Sequence, residues 1–146
     1  MLSKKAKYGL KATFFLAKNY GKGPVLISDL AESENIPKKF LELILLDLKR
    51  HGILSSKMGK GGGYSLSKPP DKIFVGQIIR ILDGPLAPIP CVSKTAYERC
   101  VECENEKSCE IRKIMMQVRD ASAAILDHTT LIDAPKALFQ VNKKSK

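Results

Sequence analysis

The sequence contains no tryptophan, only two histidines and no apolar run long enough to cross a membrane. A membrane-spanning helix needs about 20 largely apolar residues, and Lys11 and Lys18 interrupt the apolar segment near the N-terminus. We therefore expect neither a membrane partner nor a secretory signal, and we expect a cytoplasmic protein. In that reducing compartment, the four cysteines are expected to be metal ligands or reactive thiols rather than disulfides.

The sequence also lacks the motifs of common enzyme classes. The glycines near residue 60 do not complete a G-x-G-x-x-G dinucleotide fingerprint, and no phosphate-binding G-x-x-x-x-G-K-[ST] loop is present. No Ser/His/Asp set or pair of carboxylates stands out as a catalytic centre. We therefore expect a protein that is not an enzyme.

Acidic residues are scarce in the first half of the chain. The net charge is +10, and residues 1–68 contain thirteen Lys or Arg against five Asp or Glu, whereas the remainder is nearly balanced. A positive field concentrated on one half indicates a polyanionic partner, although a basic soluble surface would look the same.

Residues 27–66 predict a winged helix-turn-helix, and with it a mainly α fold with a small β-hairpin wing. Ser28 is a suitable N-cap for a short helix over 29–34 that Asn35 ends, and Pro37 opens a longer, leucine-rich helix. Residues 53–57 and 64–66 can then pair as two strands around a glycine-rich tip. A further helix over 74–82 completes a domain of residues 1–83. A plain packed helix pair is the simpler interpretation of the first two helices.

In a helix-turn-helix, the first turns of the second helix meet base edges in the major groove. Lysines there can contact phosphate or guanine, and a glutamate can accept from cytosine. The predicted DNA-binding residues are Ser28, Lys38, Lys39, Phe40, Glu42, Lys57, Lys60, Gly61, Gly62 and Tyr64. Four lysines of the first helix, Lys4, Lys5, Lys7 and Lys11, either reach the DNA backbone or form a solvated face.

The second half of the chain predicts a connector with a cysteine-bearing loop (84–107), a long amphipathic helix (108–134) and a flexible basic tail (135–146). An apolar stripe on the helix predicts a homodimer interface, and the alternative is that the helix folds back on its own domain. The stripe consists of Ile111, Ile114, Met115, Val118, Ser122 and Ile125.

Cys91, Cys100, Cys103 and Cys109 give the spacing C-x8-C-x2-C-x5-C. Four thiolates can hold a 2Fe–2S cluster or a tetrahedral zinc. Only one close C-x2-C pair is present, so zinc is the weaker metal hypothesis. Without a metal, Cys100 and Cys103 could act as a thiol–disulfide switch, and inert surface cysteines are the simplest interpretation.

Several segments resemble the Rrf-type bacterial regulators, the group of IscR, NsrR and CymR. These are Lys7–Leu10, the turn Ile36–Glu42, the loop Gly59–Tyr64, the helix Val75–Ile79, the cysteine loop and Leu126–Leu131. The resemblance implies a homodimeric winged-helix transcription regulator with the long helix as the dimer interface. In several members, a 2Fe–2S cluster in the cysteine loop alters DNA binding.

Two departures from that pattern are visible in the sequence. Members with a cluster often show C-x5-C-x5-C with a histidine three residues later, whereas Cys91 lies farther from Cys103 and Arg112 occupies the histidine position. An arginine cannot ligate iron, so if a cluster forms, either Cys100 is the natural fourth ligand or the fourth ligand comes from elsewhere, such as the partner subunit of a dimer. In the wing, Met58 and Lys60 stand where relatives often have arginine and proline.

The main hypothesis is therefore a homodimeric, sequence-specific regulator that binds double-stranded operator DNA and senses iron–sulfur or redox status through its four cysteines. One alternative is a cluster-free regulator of the same family that responds to thiol chemistry or an effector. An alternative from another class is a small iron–sulfur or redox protein that does not bind DNA.

Overall fold

The computed structural model describes residues 2–133, which form five α-helices and one antiparallel hairpin. This is the mainly α architecture with a small hairpin that the sequence predicts. The predicted basic tail (135–146) and the last residue of the predicted 108–134 segment lie outside the described residues. The elements are α1 (Lys4–Lys18), α2 (Ile27–Glu34), α3 (Lys38–Arg50), β1 (Leu54–Lys57), β2 (Gly63–Leu66), α4 (Val75–Asp83) and α5 (Glu110–Leu126).

The core lies between α1, α2, α3 and α4, and α3 contributes its largest apolar face. Leu41, Ile44, Leu45 and Leu48 recur at helical spacing and are all fully buried. Each buried side chain of this size stabilises the fold by about 1.5–3 kcal/mol. Gly9 lets α1 approach α4, since a β-carbon there would collide with the Leu82 side chain. This packing fixes the orientation of α3 relative to the other helices.

Helix α1 has a side-chain N-cap, and two of its lysines have partners inside the fold. The Ser3 hydroxyl accepts a hydrogen bond from the Ala6 N–H at 3.0 Å, the N-cap contact. The Lys5 ammonium lies 2.8 Å from the Asp47 carboxylate on α3, and the Lys11 ammonium donates to the Glu34 carbonyl at 2.6 Å. Lys5 and Lys11 therefore connect helices, whereas Lys4 and Lys7 are exposed.

The helix-turn-helix is present, but α2 begins earlier than predicted. Its N-cap position is Leu26 and no side chain caps it, so the prediction that Ser28 caps this helix is wrong. The reason is that Val25 forms a bridge with Tyr64, which keeps the chain extended up to the first helical residue. Asn35 ends α2 in the left-handed conformation (φ 54°), which asparagine tolerates better than most residues.

The hairpin pairs Leu54 with Leu66 and Lys57 with Gly63, and it is attached to the start of α2. Val25 and Tyr64 exchange two backbone hydrogen bonds of 2.8 Å. A β-carbon on Gly63 would collide with the Val25 carbonyl, and the φ of Gly63 is +142°, so glycine is required at this contact. The wing is therefore held at the entrance of the helix-turn-helix.

The chain returns to the winged domain after α5. Thr130 forms an antiparallel bridge with Phe74, and the Leu131 N–H donates to the Ile73 carbonyl at 3.1 Å. Leu131 is 2% exposed and belongs to the same core as α3. Within residues 2–133, no helix has the length and apolar character needed to span a bilayer.

Candidate nucleic-acid interface and cysteine pocket

The first turns of α3 present charged side chains to solvent. Lys38, Lys39 and Glu42 are all exposed, and the first turn of this helix contains no acidic residue. Phe40, which belongs to the same predicted set, is half-buried and packs edge-on against Tyr8, with ring centroids 5.5 Å apart. Phe40 therefore braces the start of α3 against α1, while its charged neighbours stay free.

The wing tip lies beside the beginning of α2. Gly61 and Gly62 line one groove together with Leu26 and Asp29. Lys57 and Lys60 are exposed, as are Gly61 and Ser28. Gly62 is buried, and a β-carbon there would collide with the Lys57 carbonyl, so the glycine shapes the tip. Tyr64 is half-buried against the core. The structure thus brings all four lysines of the predicted DNA-binding set to exposed positions on the helix-turn-helix and its wing.

Two exposed apolar residues in the same region were not included in the predicted DNA-binding set. Leu43 is 62% exposed between Glu42 and the buried Ile44, and Met58 is 92% exposed at the wing. The leucine-rich sequence around Leu43 does not distinguish this exposed residue from the buried leucines of the core. Its only signal is that it lies off the stripe formed by Leu41, Ile44, Leu45 and Leu48.

All four cysteines line one open pocket with a volume of about 870 Å³. They are free thiols: Cys91 is buried, Cys103 and Cys109 are half-buried, and Cys100 is exposed. Within residues 2–133, however, no three Cys, His, Asp or Glu side chains come close enough together to hold a metal ion. The donor set suits a thiolate-ligated metal in kind and in location, and the loop would have to close around it.

Polar contacts give the cysteine loop its shape. The Tyr97 hydroxyl donates to the Glu106 carboxylate, and this hydrogen bond raises the pKa of Tyr97 above its usual value. The Arg99 guanidinium donates to the Cys103 carbonyl at 3.3 Å. On the other side, Arg119 of α5 donates to the Val92 carbonyl at 2.7 Å, next to Cys91. The pocket is therefore connected to the body of α5.

The N-terminus of α5 forms part of the pocket wall. Cys109 is the N-cap of α5, and its sulfur accepts the backbone N–H of Arg112 at 3.4 Å. The Arg112 side chain also lines the pocket, and its Nε is buried without a hydrogen-bond partner among the described residues.

The predicted dimerisation stripe on α5 faces solvent. Ile111, Ile114, Val118 and Ile125 are 63%, 56%, 42% and 66% exposed, while Met115 and Ser122 are half-buried. No residue of α5 is buried. An apolar face of this extent on one helix marks an interaction surface rather than part of the chain's own core.

Comparison with known proteins places this arrangement in a family. Residues 2–136 match the family model Rrf2, described as an iron-dependent transcriptional regulator. The chain is 40% identical over 136 residues to an rrf2-like HTH-type transcriptional regulator of Rhodobacter capsulatus, covering 91% of each chain. Among solved structures, it resembles CymR (YrzC), the global cysteine regulator of B. subtilis, with a TM-score of 0.75, 35% identity and coverage of 91% and 94%. It also resembles T. potens IscR, with a TM-score of 0.72, 30% identity and coverage of 94% and 88%.

These similarities confirm both the resemblance and the winged helix-turn-helix fold that the sequence predicts. The matching proteins are transcriptional regulators and not enzymes, which favours the main hypothesis over a small redox protein from another class. The chain belongs to the Rrf2 family of transcriptional regulators.

Proposed function

We propose that the chain is a homodimeric, sequence-specific DNA-binding regulator of the cytoplasm whose operator affinity depends on the cysteine pocket. The observation that carries the DNA-binding part is the exposed first turn of α3. Lys38 and Lys39 extend from a helix whose opposite face is completely buried. Such a helix is rigidly held and leaves its charged end available for the major groove.

The exposed residues of α3 and of the wing have distinct roles on the duplex in this proposal. Lys38, Lys39 and Glu42 face base edges, where lysine recognises guanine and glutamate accepts from cytosine. Leu43 can contact a thymine methyl group on the same groove floor. Lys57 and Lys60 bind phosphates, and the glycines of the wing allow its backbone to approach the sugar–phosphate chain closely.

The exposed face of α5 supplies the dimer interface in this proposal. A second copy is the partner that fits, because the same apolar stripe presented by two chains is self-complementary under two-fold symmetry. Two-fold pairing also suits paired DNA half-sites, which lie about 34–36 Å apart when both recognition helices enter one face of the duplex.

For sensing, a 2Fe–2S cluster held by Cys91, Cys100, Cys103 and Cys109 is the leading candidate. Four soft thiol ligands around one pocket support it, as does a family description that names iron. Because Cys109 begins α5 and Arg119 holds the segment after Cys91, closing the pocket would bias the position of α5. A ligand that prefers one such arrangement shifts the equilibrium between them.

A cluster-free thiol switch is the second candidate, and zinc is a third. The spread of the four thiols counts against a preformed metal site within residues 2–133. The placement of Cys100 and Cys103 in one turn favours the switch, since the Cys103 N–H donates to the Cys100 carbonyl at 3.1 Å. The similarity to a protein described as a global cysteine regulator points the same way. Iron, sulfide and zinc content after anaerobic purification distinguishes the three.

The DNA-binding proposal is tested by titrating the protein on duplex DNA at increasing salt. A regulator that neutralises several phosphates loses affinity steeply, because each counterion that it releases gains less entropy when the bulk salt concentration is higher. Reversing the charges of Lys38, Lys39 and Lys60 together should abolish binding. Salt-independent binding, or unchanged binding by that triple variant, would rule out the proposed interface.

A further inference from the structure

Arg112 is a charged residue of the cysteine pocket that has no role in the function proposed above. It is the third residue of α5, and its side chain lines the pocket together with all four cysteines. Its Nε is buried and has no acceptor among residues 2–133. A buried donor of a charged group is costly to leave unpaired, so this position calls for an acceptor, and a negatively charged one suits the guanidinium best.

The location of Arg112 strengthens that requirement. A positive charge in the first turn of a helix is unfavourable, because the helix dipole is already positive at that end. Arg99, the other arginine of the pocket, has acceptors, since it donates to the carbonyls of Cys103 and Glu104. Arg112 is thus the pocket guanidinium with a buried donor that has no acceptor among residues 2–133. The lining that it shares includes four thiols and three glutamates.

We propose that Arg112 is the counter-charge of a four-thiolate ligand set. It does not bind the metal; it is a positioning residue that neutralises part of the negative charge which four thiolates bring into the pocket. The inference rests on the proposed metal site and is independent of DNA binding. Its consequence is electrostatic: one-electron reduction of a thiolate-ligated cluster adds a negative charge, and a neighbouring cation stabilises that reduced state.

The test compares Arg112→Gln with Lys113→Gln in the full chain. Both variants remove one positive charge from adjacent residues of α5, but Lys113 is exposed and does not line the pocket. After anaerobic reconstitution with iron and sulfide, the midpoint potential is measured by titration with dithionite while the visible absorbance is followed. We expect Arg112→Gln to lower the equilibrium constant for reduction about tenfold, which corresponds to a midpoint potential lower by about 59 mV for a one-electron couple. Lys113→Gln should leave it near the wild-type value.

Arg112→Lys keeps the charge, so its midpoint potential should lie close to the wild-type value. A merely structural role for the arginine side chain would not produce this recovery. Equal potentials for wild type and Arg112→Gln, or equal shifts for both glutamine variants, would overturn the inference. If the wild type assembles no cluster, competition for Co²⁺ monitored by thiolate-to-metal absorbance replaces the potential. The expected result is then weaker Co²⁺ binding by Arg112→Gln alone, and a wild type that binds neither iron nor Co²⁺ overturns the inference as well.

Failure of this inference and failure of the proposed function can be told apart. Duplex affinity of the same preparations is measured in parallel by the salt titration. A wild type that loads metal but ignores DNA defeats the DNA-binding proposal and leaves the role of Arg112 standing. Normal DNA binding, together with equal midpoint potentials for wild type and Arg112→Gln, would overturn the role of Arg112 and leave the DNA-binding proposal standing.

Discussion

Arg80 of α4 donates two hydrogen bonds, of 2.5 and 2.9 Å, to the two carboxylate oxygens of Asp127 at the end of α5. A β-carbon on Gly76 would collide with the same carboxylate, so glycine makes room for the pair. The hydrogen bond from Arg80 holds the pKa of Asp127 below its ordinary value of 3.8. This ion pair connects the winged domain directly to the helix that carries the exposed apolar face.

The Arg80–Asp127 pair predicts a specific dependence of stability on pH. Because the pKa of Asp127 is lower in the folded state, its contribution is present above pH 3.8 and is lost as the pH falls through the folded-state pKa. Asp127→Asn should lower the free energy of unfolding at neutral pH by about 1 kcal/mol or less, since both side chains are partly exposed. Urea unfolding should show that the difference from wild type narrows in acid.

The control for this prediction is Asp71→Asn, which alters an exposed aspartate in the short turn before α4. We expect little change from it at any pH. A stability difference for Asp127→Asn that is the same at neutral and acidic pH would contradict the assigned role of the pair.

Substitutions at different residues of the proposed DNA interface should change DNA binding in different ways. Lys57→Ala and Lys60→Ala are expected to weaken binding to all sequences alike and to reduce the salt slope by about 1 each. Leu43→Ala should instead relax preference at one base position by about 1 kcal/mol, because it removes an apolar contact. Selection of bound DNA from a random pool, followed by salt titration, measures both effects.

Lys72→Ala is the matched control for the lysine variants, because Lys72 is exposed but belongs to neither α3 nor the hairpin. It should leave the salt slope unchanged. An unchanged preference profile for Leu43→Ala would show that this leucine does not meet a base.

Gly61 and Gly63 allow two effects of the wing glycines to be separated. Both have positive φ, but a β-carbon on Gly61 meets nothing, whereas one on Gly63 collides with the Val25 backbone. Gly61→Ala should cost about 1 kcal/mol from backbone strain alone. Gly63→Ala should cost about 3 kcal/mol or more, because it also breaks the bridge between the wing and the segment before α2. Urea unfolding measures both, and equal losses would argue against the bridge.

The exposed face of α5 predicts a concentration-dependent assembly. Ile114→Glu places a charge in the centre of the apolar stripe and should convert a dimer to a monomer, because an unpaired charge would be buried in the interface. Analytical ultracentrifugation measures the change. Gln117→Glu, at an exposed position of the same helix, introduces the same charge outside the stripe and should remain dimeric. A wild type that is monomeric at all concentrations would refute the proposed interface.

The winged domain could be predicted from the sequence because its helices carry their own signals. Leu41, Ile44, Leu45 and Leu48 define a stripe, and Asn35 marks a helix end that local chemistry determines. The start of α2 could not be predicted in this way. It depends on the pairing of Val25 with Tyr64, a contact between distant residues that no local capping preference reveals.

The gathering of the cysteines around one pocket was anticipated by their spacing, but the shape of the pocket was not. It depends on single contacts in an irregular loop, such as that of Tyr97 with Glu106, and these follow no periodicity. For the same reason, spacing alone could not show that Arg112 has a buried donor without a partner.

Because Thr130 and Leu131 return to the winged domain, the segment that carries the cysteines can vary independently of that domain. The long excursion that carries the cysteines leaves the domain after α4 and comes back beside Phe74, so both of its ends are anchored by the same core. Residues can be inserted into or removed from that excursion without unseating either anchor. The cysteine-bearing segment proposed to act as the sensor can therefore change in length and composition while the winged domain keeps its geometry.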